Sequence, residues 1–230
     1  VWIECGAKPG DTAIFPFSFG PFLGFWAAFE AGVQAGIRCL PGGGQTSLQR
    51  LKMIFRYKPE WICCTPTYAL HLSGVASREG LDLSTSSVRG IIVGGEPGGS
   101  IPEVRERIKA GWGGARVFDH HGMTEVGPVT YSDIDDPDLL RIVHDTYLAE
   151  VVDRETDKPV PYGDVGELVL TTLGRAGCPL LRYRTGDLVR PVAVPGEDPT
   201  AFALQGGILG RADDMVVVRG VNLYPSAIDA

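Results

Sequence analysis

Lysine is scarce: Lys8, Lys52, Lys58, Lys109 and Lys158 are the whole set, and no run of Lys or Arg occurs in a chain of net charge −7. Without a basic patch, electrostatic nucleic-acid binding is excluded. C-x-x-C is absent, and the cysteines (Cys5, Cys39, Cys63, Cys64 and Cys178) are odd in number and sit in apolar settings. They read as buried thiols in a reducing cytoplasm. No G-x-x-x-x-G-K-[ST] is present, which excludes a P-loop NTPase. Gly42-Gly43-Gly44-Gln45-Thr46-Ser47 therefore reads as a flexible strand-to-helix turn. Residues 12–29 carry no formal charge, yet Pro16, Gly20, Pro21 and Gly24 interrupt them. They read as a buried strand over Ala13–Phe19 and a helix with Pro21 near its start, not as a membrane span. A basic leader followed by an A-x-A site is also missing. The chain starts at Val1 and stops at Ser226-Ala227-Ile228-Asp229-Ala230, which reads as the opening of a helix. The expectation is a piece of a longer protein.

What is present is a folding chain: 230 residues, 44% of them apolar, enough for one large core. Strand-like runs at Thr12–Phe19, Ile37–Leu40, Trp61–Cys64, Val88–Val93 and Ala115–Phe118 alternate with helical periods. Those periods lie near Phe22–Gln34, Ser47–Arg56, Thr67–Ser77 and Ile101–Lys109. Ser100 and Glu103 are spaced as a capping box for the last helix. This alternation predicts a parallel sheet with helices on both faces. From Tyr147 the pattern changes to Tyr147–Val152, Gly166–Thr172, Leu180–Tyr183, Asp187–Pro191 and Phe202–Leu209, strands joined by Gly/Pro turns. They predict a smaller antiparallel β module. The fold class is α/β.

Four segments could carry chemistry. Gly94-Gly95-Glu96-Pro97-Gly98-Gly99 follows a buried strand, where open α/β sheets bind ligands and where glycines admit a ring or phosphate. The bland alternative is a plain strand-to-helix turn. Asp119-His120-His121-Gly122-Met123-Thr124-Glu125 follows the next strand. Its carboxylate at Glu125 suits Mg²⁺ bridged to phosphates, Thr124 can hydrogen-bond a phosphate oxygen, and His121 can stack on a base. The alternatives are a polar loop, or zinc on His120 and His121, whose side chains usually diverge. Arg182-Tyr183-Arg184-Thr185-Gly186-Asp187 reads as a turn between β runs, with Asp187 either offered to a ribose diol or closing an Asx turn. Gly210-Arg211-Ala212-Asp213-Asp214 places Arg211 to contact phosphate, or forms a surface charge cluster.

The succession GGEP, HHGMTE, RYRTGD and GRADD resembles the adenylate-forming superfamily. The wording of Cys64–Leu70, Pro179–Asp187 and Gly210–Pro225 is similar to its phenylacetate-CoA ligase branch. That resemblance runs essentially end to end. It implies residues 1–145 as the α/β part and 146–212 as the β-rich part of a nucleotide-binding domain. Residues 213–230 would be the hinge and the start of a mobile C-terminal domain. It implies a cytoplasmic, ATP-dependent ligase that turns an aryl carboxylate into acyl-AMP and passes the acyl group to coenzyme A. Its partners would be these small molecules, not nucleic acid or membrane; a homodimer is left open. Gly95, Glu96 and Pro97 would line the adenine, with Asp119, Gly122 and Met123 beside the nucleotide. His121 would replace the family's usual aromatic residue at the base, where Tyr is commoner. Thr124 would bind phosphate, Glu125 would hold Mg²⁺, Asp187 would bind the ribose, and Arg211 would reach ribose or phosphate. Thr124, Glu125 and Arg211 would be the catalytic residues. Tyr68, Gly94 and His120 would wall the acyl pocket. Asp213 matches the hinge, and Gly220 the segment along the pantetheine arm.

Two departures weigh on activity. The family's Ser/Thr/Gly-rich phosphate loop is missing and should precede Val1. Its adenylation lysine is missing too, since no lysine follows Lys158. The 230 residues alone are expected to be inactive. Some relatives carry a structural metal; Ser132, Asp133, His144 and Cys178 occupy that neighbourhood here, and the expectation is no zinc. An adenylation enzyme that loads a carrier protein and a non-catalytic nucleotide-binding remnant stay open as alternatives.

Overall fold

The computed structural model describes residues 1–196 and 201–212, together with the backbone of Val216–Val218 and Val221–Leu223. The chain divides into two compact units, Val1–Asp135 and Asp136–Ala230.

The first unit is built on β1 (Thr12–Phe15), α1 (Leu23–Gln34), β2 (Arg38–Pro41), α2 (Ser47–Tyr57), β3 (Trp61–Cys64), α3 (Pro66–Arg78), β4 (Gly90–Gly94), α4 (Pro102–Gly111) and β5 (Arg116–His120). The strands form one parallel sheet in the order β2-β1-β3-β4-β5. Alternate residues enter two cores. Ile14, Ile62, Ile91, Val93 and Val117 face Leu51 and Ile54 of α2, Leu72 of α3 and Ile108 of α4. Ala13, Phe15, Trp61, Ile92 and Phe118 face Phe29 of α1 and the N-terminal Trp2. Burial on both faces is why these strands read as unbroken apolar runs. Each fully buried Leu or Ile contributes about 1.5–3 kcal/mol of transfer free energy.

Several predicted boundaries move for local reasons. Pro16 cannot donate to a ladder, so β1 stops at Phe15 rather than Phe19. Pro21 stands outside α1, whose N-cap is Phe22. The capping box expected at Ser100 and Glu103 does not form. The N-cap of α4 is Ile101, with no side-chain cap; Ser100 instead donates its hydroxyl to Asp119. A capping box does form at α2, where Thr46 Oγ1 accepts from Gln49 N at 3.2 Å and Gln49 Oε1 accepts from Thr46 N at 2.8 Å. The preceding glycines are therefore not a loose turn; Arg50 Nε also donates to Gly42 O at 2.8 Å.

After β5 the chain makes a small hairpin, β6 (Gly122–Met123) with β7 (Gly127–Pro128), and then β8 (Thr130–Ser132). The second unit holds β9 (Leu139–Ile142), β10 (Tyr147–Val152), β11 (Gly166–Thr172), β12 (Tyr183–Val189), β13 (Pro191–Ala193), β14 (Phe202–Gln205), β15 (Gly210–Arg211), and the hairpin β16 (Val216–Val218) with β17 (Val221–Leu223). Its main sheet runs β10-β11-β12-β15, antiparallel throughout. A second antiparallel set joins β13, β14 and β9. No helix occurs among its described residues. The two strands predicted at Leu180–Tyr183 and Asp187–Pro191 are corrected to the single strand β12, which passes through the predicted turn. No helix among the described residues is long and apolar enough to cross a membrane.

Candidate active site

The carboxyl ends of β3, β4 and β5 gather the polar segments of the first unit. Thr65 caps α3 by accepting from Tyr68 N at 3.3 Å, and Pro66 fills the first turn, where its missing N–H is harmless. Glu96 Oε1 accepts from Thr67 N at 2.8 Å. The Gly94–Gly99 loop is thereby tied to the start of α3. Its glycines are required. Gly95 has φ +86, and a Cβ on Gly98 would lie 2.6 Å from Pro66 Cβ. A Cβ on Gly94 would meet His120 O at 2.7 Å, and one on Gly99 would meet Asp119 Oδ1 at 2.5 Å. Gly95 and Pro97 remain exposed.

Asp119 sits behind this loop. Its carboxylate accepts from the Ser100 hydroxyl and from His120 N, and its own N–H donates to Ser132 Oγ at 2.6 Å. Burial raises its pKa, against the lowering effect of those hydrogen bonds. Asp119 therefore pins β5 to the loop that precedes α4. His120 Nδ1 lies 2.6 Å from Thr130 O. A carbonyl only accepts, so Nδ1 carries the proton and Nε2 does not. Burial pushes this imidazole down to about 4, so it is neutral at physiological pH. His121 N donates to Thr130 Oγ1 at 3.0 Å. Met123 is half-buried, Gly122 is exposed, and Thr124 and Glu125 lie exposed at the tip of the β6–β7 hairpin.

Across α2 and α3, Tyr68 Oη accepts from Arg50 Nη1 at 2.6 Å and lies 3.1 Å from Ser47 Oγ. Arg50 was missed in the sequence. A lone cation on an amphipathic helix reads as solvated, yet this one is 9% exposed.

In the second unit, Thr185, Gly186 and Asp187 of β12 bulge opposite Leu168 of β11. Gly186 has φ +76. Thr185 Oγ1 donates to Leu168 O at 2.8 Å and accepts from Asp187 N at 3.0 Å. Arg211, opposite Asp187 on β15, donates from Nη1 to Thr185 O at 2.8 Å and to Asp187 Oδ1 at 2.9 Å. Asp187 is 3% exposed. The residues expected to serve ribose and phosphate are thus brought together as a buried carboxylate with its guanidinium. Glu167, unremarked in the sequence, supports the bulge. It accepts from Arg184 Nη2 at 2.6 Å and Nε at 3.0 Å, and from Gly186 N at 3.1 Å. Asp213 and Gly220 lie outside the described residues.

No group of three or more His, Cys, Asp or Glu side chains is placed to hold a metal ion among the described residues. All five cysteines are free thiols. Burial pushes Cys5 and Cys63 up to about 12 and Cys39 up to about 11, which leaves them protonated and inert. Cys178 is exposed, contrary to its apolar setting in the sequence.

Residues 4–176 match the sequence profile of the family described as AMP-binding enzyme, and the chain belongs to that family. Within it, the chain is 33% identical over 227 residues to a phenylacetate-coenzyme A ligase of Thermus thermophilus, covering 98% of this chain and 50% of that protein. It is 35% identical over 229 residues to the phenylacetate-coenzyme A ligase of Pseudomonas putida, covering 97% and 50%. A crystal structure of 2-hydroxyisobutyryl-CoA ligase in the postadenylation state, in complex with R3-HIB-AMP, superposes with TM-score 0.90 at 32% identity, covering 100% of this chain and 49% of that one. The chain spans about half the length of the curated relatives it matches.

Proposed function

We propose that this chain is the nucleotide- and acid-binding part of an ATP-dependent acid–thiol ligase that acts on an aryl or arylacetic carboxylate. The observation that carries the reading is the placement of Gly94–Gly99 and Asp119–Glu125 at adjacent strand ends. They sit there in a chain 32% identical to a ligase solved with an acyl-adenylate.

In this reading a carboxylate oxygen attacks the α-phosphorus of ATP, and the bond to pyrophosphate breaks. The coenzyme A thiol then attacks the acyl carbonyl, AMP leaves, and the thiol proton goes to solvent. Gly95, Glu96 and Pro97 line the adenine, because glycine lets a flat ring approach the backbone. His121, Gly122 and Met123 border the base. Asp119 acts from behind, holding the two strand ends together. Thr124 donates to phosphate. Glu125, exposed at the hairpin tip, fits Mg²⁺, which takes one or two carboxylates and keeps its remaining positions for water and phosphate. Mg²⁺, when bound, neutralises the phosphate charge. Asp187 takes the ribose hydroxyls, and Arg211, already aligned on it, reaches ribose or phosphate. Tyr68, Gly94 and His120 wall the acid. A neutral His120 with Nε2 unprotonated offers the acid no positive charge, which leaves the carboxylate free to attack. The buried, protonated thiols agree with a cytoplasmic protein.

The test is acid-dependent ATP–pyrophosphate exchange, measured with a panel of aryl acids on the full reading frame that encodes this chain. Exchange should require the acid, fall at least ~100-fold in Glu125→Ala, the range for loss of a group acting on transition-state charge, and fall in Asp187→Ala through loss of the ribose contact. The 230 residues alone should show none, for want of the lysine and the phosphate loop. A folded full-length protein with no exchange on any acid would falsify the reading.

A further inference from the structure

The parallel sheet reverses its strand order between β1 and β3: β2 lies on one side of β1, and β3, β4 and β5 lie on the other. Connections leave this point in opposite directions and open a crevice beyond the carboxyl ends, where open α/β sheets bind ligands. A cavity of about 240 Å³ occupies that place, lined by Phe17 and Ser18 after β1, Thr65 after β3, and Arg50 and Tyr68 from the flanking helices. It adjoins the glycine loop directly, because Glu96 bonds to Thr67 N and Gly95 packs by Thr65. An engineered apolar cavity of about 150 Å³ holds one benzene ring. This one therefore holds a ring and one substituent.

Its wall carries an uncompensated charge. The Arg50 guanidinium lies over the Tyr68 ring, 5.2 Å from its centroid, and donates to Tyr68 Oη and Gly42 O. Those bonds use two of its five N–H groups. Among the described residues no carboxylate pairs with it. A buried cation without a counter-ion is costly, and the guanidinium fork matches a carboxylate. We infer that the acid taken by this site carries a second carboxylate at the end remote from the reacting one, and that Arg50, held by Tyr68, is the residue that reads it. This rests on the proposed function for the identity of the reacting end; the binding of the far end does not require ATP.

The test is calorimetric titration of the full-length protein that contains this chain, without nucleotide, with phenylacetate and with benzene-1,4-diacetate. The diacid should bind at least tenfold more tightly. Arg50→Met should bring the two acids to within threefold of each other, with the fold checked by circular dichroism. Tyr68→Phe, which removes one hydroxyl and no charge, should reduce the preference severalfold and keeps the test decisive if Arg50→Met does not fold. Equal affinity for the two acids overturns the inference, since Arg50 would then hold a single carboxylate or serve only Gly42 O. So does a preference that survives both variants, or binding of neither acid. Pyrophosphate exchange by the full-length protein reports separately on adenylation, so either reading can fail without the other.

Discussion

At the ends of β4 and β5 the backbone is held by the absence of side chains; along β12 it is held by their charges. Gly94, Gly98 and Gly99 let α3, the loop and β5 touch at distances that no Cβ allows. Gly186 and Asp187 are fixed instead by Glu167 and Arg211. The first arrangement is steric and indifferent to salt. The second depends on ionisation and weakens as ions screen its exposed members. The two arrangements would therefore fail under different conditions.

Gly99→Val is expected to break the steric half most severely. It should cost about 3 kcal/mol in denaturant unfolding, at the upper end for overpacking, because the Asp119 carboxylate it strikes is itself pinned. Salt should leave that cost unchanged. A loss under 0.5 kcal/mol would mean that the loop yields and the glycine is not required.

Acidification should come next. His120 is neutral when folded down to about 4, whereas the unfolded side chain takes up its proton near 6.5. Between these values the unfolded state binds more protons. Stability should therefore be complete above 6.5 and fall as pH drops toward 4, by up to about 1.4 kcal/mol per pH unit. Asp119 acts oppositely: its raised pKa means that the folded state keeps a proton the unfolded state has lost, so acidification relieves part of the cost. His120→Gln should flatten the urea-midpoint profile between pH 7 and pH 5. A profile identical to that of the parent would show that His120 is charged in the fold.

Glu167→Gln should have the smallest effect, about 1 kcal/mol, because Arg184 is well exposed and its attraction is screened. Its diagnostic is salt. Added NaCl should narrow the gap between parent and variant, and a gap that widens would contradict the electrostatic account of the bulge.

How far this was legible in the sequence follows the same division. The β3, β10 and β11 spans are read correctly from apolar pattern alone, because β3 and β11 are buried along most of their length and β10 at both of its ends. The family was legible from four short motifs in order. What was lost depends on competition between distant groups. Ser100 looked like a cap, but Asp119, nineteen residues on, takes its hydroxyl. Gly186 looked like a turn, but Glu167 and Arg211 hold it inside a strand. Thr46 and Gln49 carried a true capping-box spacing, obscured by the glycines before them. Arg50 had no sequence signal, since nothing local says that a helix cation faces a cavity.

The bulge in β12 also sets what changes in chain length the second unit tolerates. Three residues of β12 stand where β11 spends one, an excess of two. Two is even, so side-chain alternation carries across the bulge, and Leu188 and Val189 are buried on opposite faces of the strand, at 4% and 0% exposure. Losing one residue between Arg184 and Leu188 would exchange the faces to which Leu188 and Val189 point, so that each would meet packing shaped for the other. Losing two would restore a regular ladder and spare the core, but it would erase the bend that faces Asp187 to Arg211. Insertions and deletions here thus differ by parity: odd ones swap side chains between two buried faces, while even ones keep each side chain on its face and displace only the acidic residue.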